Sequence, residues 1–190
     1  MRMAVELLHT PSRLRLVRAR PLPDDVHLVL RVAAHEPGAM AAAHALTARS
    51  ADTIAAAAFF FIEQALLYDG RDAYRALGAD RTTTADDLRR NMALLLRVLH
   101  PDVTTAAERA VLVQRVTQAW NDLKTPERRA AYDRAEAARR ASRGRPQAKR
   151  PGASQPVKGS PVKGWVRRAF EALFGAPAAP RSRSGRRRDG

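Results

Sequence analysis

The chain has 190 residues, enough for one or two small domains, and its 34 Lys and Arg against 19 Asp and Glu leave a net charge of +15. It contains no cysteine, which excludes a disulfide scaffold, a thiolate zinc site and a thiol nucleophile together. The basic excess is uneven: residues 1–23 carry +4, 24–70 carry −4, 71–140 carry +4 and 141–190 carry +11.

Residues 1–23 mix leucine with Arg13, Arg15, Arg18 and Arg20 and end in Pro21-Leu22-Pro23. That mixture fits a short strand or a poorly ordered arm, and the segment is read as an N-terminal arm. No continuous apolar region follows Arg2, so a secretory signal is not expected. The Arg-rich, acid-poor start also fits an organelle transit peptide, but the cytoplasm is the expected location.

From Asp24 to Gly70 the spacing turns helical. Asp24 and Asp25 place negative charge at a helix start, where the helix dipole favours it. Val26, Val29, Leu30 and Val32 then share a face. Glu36-Pro37-Gly38 is a break, and helices are predicted near 25–35, 39–48 and 51–68. Ser50 is the expected cap of the third. The apolar run from Ile54 to Ile62 is too short to span a bilayer and is apolar all round, so this helix should lie at the centre of a small helical module. His27, His35 and His44 have spacings that fit no metal signature, and no metal site is expected.

Between residues 71 and 140 the spacing predicts helices near 71–77, 85–99, 106–124 and 126–139. Leu88, Met92, Leu95 and Leu99 form one apolar stripe; Val113, Val116, Trp120 and Leu123 form another. Two such stripes zip into an antiparallel hairpin whose tip carries His100-Pro101-Asp102. Pro101 forbids continuation of the first helix and pushes His100 out of the helical region. Thr84 with Asp87, and Thr105 with Glu108, read as caps of the two long helices. Thr125-Pro126-Glu127 reads as the start of the last.

This stretch resembles the J domain of DnaJ-type co-chaperones. The resemblance rests on Tyr74-Arg75-Ala76-Leu77-Gly78, Asp86-Asp87-Leu88-Arg89-Arg90, Leu99-His100-Pro101-Asp102, Gln118-Ala119-Trp120-Asn121-Asp122-Leu123 and Thr125 to Asp133. It implies a J-domain helical hairpin at 71–140; with the helical module read from spacing at 24–70 and a disordered basic C-terminal tail read from composition at 141–190, the expected fold is all-α. It also implies a partner, a DnaK-type chaperone, whose ATP hydrolysis is stimulated through His100, Pro101 and Asp102 and a basic face on the second helix. Arg89, Arg90 and Arg97 are the cations available for that face. Ala93, Leu94 and Val98 stand where the family often has Lys or Arg, so the face is thin. Leu94, Val98 or both are expected to be shielded by the N-terminal module, the alternative being a partner surface. Such a protein is not an enzyme and needs no cofactor.

Beyond Arg140 the composition shifts to Ser, Gly, Pro, Arg and Lys, with Pro156-Val157-Lys158-Gly159 repeated as Pro161-Val162-Lys163-Gly164. A short amphipathic helix is predicted near 164–174, built on Trp165, Val166, Ala169, Phe170, Leu173 and Phe174. It fits a membrane-surface anchor, a helix docked in a partner groove, or a segment packed on its own chain. The tail also fits an anionic partner such as nucleic acid or a membrane surface. Two other functions thus remain open beside co-chaperone action: a J-like adaptor without ATPase stimulation, and a nucleic-acid or membrane-surface binder acting through the tail. No client is identified by any residue pattern.

Overall fold

α5 (Ala51–Phe61) organises the N-terminal half. Ser50 caps it, its side chain accepting from the Thr53 N–H. Its last turn widens into a π-helical turn at Ile62–Leu66, and Ile54, Ala57, Ala58, Phe61 and Ile62 are fully buried. No lone helix can bury a surface that is apolar on nearly every side. Accordingly α1 (Arg2–His9), α3 (Val26–Ala33) and α4 (Pro37–Thr47) all pack against it.

The computed structural model describes residues 1–70, 72–99 and 106–144, and all of them belong to one compact unit. The regular elements among the described residues are all helical, with no strand. The helices expected at 24–70 are joined by further ones from the N-terminal side. Residues 1–23, read as a strand or an arm, instead form α1, a 3₁₀ turn at Pro11–Arg13 and α2 (Leu14–Ala19). Met1, Ala4, Val5 and Leu7 are buried against α5, so this correction has a simple cause. α5 has more apolar surface than α3 and α4 can cover, and α1 covers the remainder.

The second half begins with the short α6 (Ala73–Ala76), followed by α7 (Ala85–Val98), α8 (Ala106–Leu123) and α9 (Pro126–Gly144). α8 packs on α6, α7 and α9, and α3 packs on α7. Leu88, Leu95 and Leu99 meet Val116, Ala119 and Leu123 in the core, with Met92, Val113 and Trp120 half-buried beside them. The turn after α6 needs a glycine. Gly78 has φ +59°, and a Cβ there would lie 3.2 Å from Leu30 Cδ1.

Three expectations fall outside the described residues: the His100-Pro101-Asp102 tip, the Thr105–Glu108 cap and the whole of 145–190, with its predicted helix near 164–174. Among the described residues no single helix is long and apolar enough to cross a membrane.

Candidate functional site

His100, Pro101 and Asp102 lie outside the described residues, and the described part of the site read from the sequence is the outer face of α7. Thr84 sets its start: the Thr84 hydroxyl accepts from the Asp87 N–H at 3.2 Å and donates to Asp87 Oδ2 at 2.6 Å. The Thr84 hydrogen bond, with Arg90 adding to it, holds the Asp87 carboxyl below the usual carboxylate range. Leu88, Asn91, Leu95 and Val98 turn inward and fix the helix rotation. Arg89, Arg90 and Arg97 are consequently placed on the exposed side.

These three cations are not equivalent. Arg90 Nη2 lies 2.6 Å from Asp87 Oδ1, so much of its charge is answered within its own helix. Arg89 and Arg97 make no ion pair among the described residues. Arg97 lies in the last turn of α7 and is the cation nearest in sequence to the tip. Exposed Ala93 and the 37% exposed Leu96 separate the arginines, so the face is a sparse basic strip with an apolar interruption. Of the two residues expected to be shielded, Val98 is buried and Leu94 half-buried. α3 is the N-terminal helix that packs on α7.

Sequence reasoning missed the groups that join the two halves. Arg75, in α6, is only 9% exposed, and its guanidinium donates to Ala65 O, Arg20 O and Val17 O at 2.8, 2.8 and 2.9 Å. Burial lowers its pKa, and nearby Tyr68 and Asp72 oppose the shift. From α8, Arg115 donates to Leu67 O and pairs with Asp69. The available signal was a single cation inside the apolar run Ala73 to Leu77.

A second missed cluster closes α6 against α9. Tyr74 OH donates to Asp133 Oδ2 at 3.0 Å and accepts from Arg129 Nε at 3.0 Å. Tyr132 OH accepts from the Ala73 N–H at 2.7 Å. Arg129 also donates to Thr83 O and Arg81 O, which ties the α6–α7 turn to α9.

A hairpin of two long helices, a short preceding helix tied to a following one, and a capped, cation-bearing α7 can now be set beside known proteins. The family model of the DnaJ domain matches residues 72–133. This stretch is a J domain. Chaperone protein DnaJ of Leifsonia xyli subsp. xyli is 37% identical over 67 residues, which are 35% of this chain and 18% of that protein. Chaperone protein DnaJ of Halalkalibacterium halodurans is 36% identical over 63 residues, 33% of this chain and 17% of the relative. A curved DNA-binding protein of Coxiella burnetii is 36% identical over 63 residues, 33% of this chain and 20% of the relative. The chain thus spans a fifth or less of the length of each of these curated relatives. No solved structure is a significant match to it.

Proposed function

We propose that this protein is a J-domain co-chaperone that stimulates ATP hydrolysis by a DnaK-type chaperone. Docking uses His100, Pro101 and Asp102 together with the exposed cations of α7. The observation that carries this reading is the J domain at 72–133, with the His-Pro-Asp tripeptide between α7 and α8 and with Arg89 and Arg97 exposed on α7. Exposed cations steer the encounter with an anionic partner, while the polar tip supplies local contacts. Neither role requires this chain to bind nucleotide or act as an enzyme.

The test is single-turnover ATP hydrolysis by a DnaK-type chaperone with and without the intact protein. Stimulation is expected, and His100→Gln or Asp102→Asn should abolish it. Reversing charge at Arg89 and Arg97 should weaken it most at low ionic strength, because exposed charges act through a screened field. Absence of stimulation at saturating concentration would sink the reading.

The adaptor reading draws on a specific feature of the same face. Ala93 is exposed and uncharged, Leu94 and Val98 are drawn toward the core, and Arg90 is paired with Asp87. If the chaperone binds but its ATPase does not respond, the protein is an adaptor that uses the J fold as a docking module.

A further inference from the structure

An open cleft lies where the loop from Pro21 to Val26 faces the α6–α7 turn, at the opposite end of α7 from the tip. Four carboxylates line it, namely Asp24, Asp72, Asp80 and Asp87, in a protein with a net charge of +15. Asp24 makes no hydrogen bond or ion pair among the described residues. Asp80 accepts from the hydroxyls and backbone N–H groups of Thr82 and Thr83, which hold it below the usual carboxylate range. Asp72 caps α6 by accepting from the Arg75 N–H and makes no ion pair among the described residues, although the Arg75 guanidinium lies near enough to feel its charge.

The cations in the lining are already engaged. Arg75 directs its guanidinium at three carbonyls, and Arg81 Nε lies 3.3 Å from Asp133 while stacking on Tyr74. Leu22 and Val26 add an apolar wall, and exposed His27 stands at the rim.

A second observation, independent of the acids, comes from Asn91 in the cleft lining. It is only 4% exposed; its Nδ2 donates to Leu77 O and Gly78 O at 3.0 and 3.1 Å, and its Oδ1 accepts from nothing. A buried acceptor without a donor is unfavourable, and a donor brought into the cleft would relieve it. Carboxylates, an unused acceptor and an apolar wall match one chemistry: a cationic donor on an aliphatic stem.

We propose that this cleft binds the guanidinium or ammonium side chain of a basic peptide. The site is composite, with Asp24 from the N-terminal half and Asp80 and Asn91 from the J domain. The proposal rests on nothing in the co-chaperone reading, and its test involves no chaperone.

The test is fluorescence anisotropy of a labelled tetra-arginine peptide titrated with the full-length protein, beside tetra-lysine and tetra-glutamine peptides. Saturable binding of both cationic peptides is expected, with none of the glutamine peptide. Asp24→Lys should raise Kd about tenfold and Asp80→Asn about threefold, because each removes a carboxylate facing the bound cation. Asp24 has no partner to lose, so its variant keeps the fold, which circular dichroism verifies. Peptide should also slow amide exchange at 21–27 and 78–83. Unsaturable binding, equal binding of the glutamine peptide, or Asp24→Lys and Asp80→Asn variants that bind like wild type would overturn the proposal.

Discussion

The two halves of the described unit are held together by different physics. Around α5 the contacts are apolar and undirected: alanines, leucines, isoleucine and Phe61 with almost no exposure. The J domain has an apolar seam between α7 and α8, but its closure of α6 against α9 depends on particular polar atoms. Tyr74 lies under the guanidinium groups of Arg81 and Arg129 and packs edge-on against Tyr132, ring centroids 5.9 Å apart. An apolar core fails by losing volume; a polar closure fails by losing one atom or one proton. The seam between the halves combines both kinds: α3 packs on α7, and Arg75 and Arg115 reach across it to backbone carbonyls.

The largest break in this contrast should come from Phe61→Ala. Phe61 is fully buried at the junction of α5 with its π turn. Truncating it should cost about 3–5 kcal/mol, the transfer and cavity terms together. The denaturant midpoint should fall with an unchanged m-value. Because the π turn supplies the Ala65 carbonyl to Arg75, the J domain should unfold in the same transition. Two separated transitions would show that the halves are independent.

Arg75→Met probes the seam itself. It leaves three carbonyls without their charged donor, and the expected loss is about 2–4 kcal/mol. Methionine fills most of the stem volume, so cavity formation is a minor contribution. Amide exchange should quicken first around residues 17–20 and 62–67, where the abandoned carbonyls lie, and least in α8 and α9. Uniform acceleration would mean that Arg75 supports the whole fold and is not specific to the joint.

What was legible in the sequence divides along the same line. Apolar periodicity placed α3, α7 and α8 because a buried stripe repeats with the helix turn; composition and start signals placed α4, α5 and α9, and Ser50 and Thr84 cap as their spacing predicted. α1 and α2 were illegible because they are short and interrupted by arginines, and because their burial depends on surface that α5 leaves uncovered. Asp25 shows the same limit. Its side chain makes no cap hydrogen bond to α3 and instead pairs with the Met1 amino group, which lies beyond local pattern. The outward placing of Arg89, Arg90 and Arg97 followed from the stripe. Arg90's pairing with Asp87, and the roles of Arg75, Arg129 and Asn91, did not, because their partners are mostly carbonyls and a carbonyl leaves no mark on composition.

Tyr74→Phe sharpens the polar side of the comparison. It deletes the hydroxyl that joins Asp133 to Arg129 and should cost about 1–2 kcal/mol near neutral pH. Burial, first among the causes, raises the Tyr74 pKa above the ordinary 10.0, and burial raises Tyr132 as well. The fold therefore favours the neutral phenols. Their contribution is complete below pH 10.0, the unfolded value, and is lost as pH rises through the higher folded values. Wild type should lose stability on this alkaline limb. Tyr74→Phe should flatten the limb without removing it, since Tyr132 still titrates. An unchanged slope would mean that Tyr74 stays neutral across the range tested.

Arg97→Ala should have the smallest effect on the fold. The side chain is exposed, makes no ion pair among the described residues, and lies in the last turn of α7, where a cation gains a few tenths of a kcal/mol from the helix dipole. Alanine returns part of that through its higher helix propensity. The net change should stay within about 0.5 kcal/mol, as for most surface substitutions. This near-neutrality is what gives the variant its value. If Arg97→Ala lowers chaperone stimulation while the unfolding midpoint stays put, the loss belongs to docking and not to folding. The loss should shrink as salt is added, since the Debye length falls to about 8 Å near physiological ionic strength. A stability loss comparable to that of Tyr74→Phe would instead place Arg97 among the residues that hold the hairpin together, and the basic strip on α7 would then have to rely on Arg89 alone.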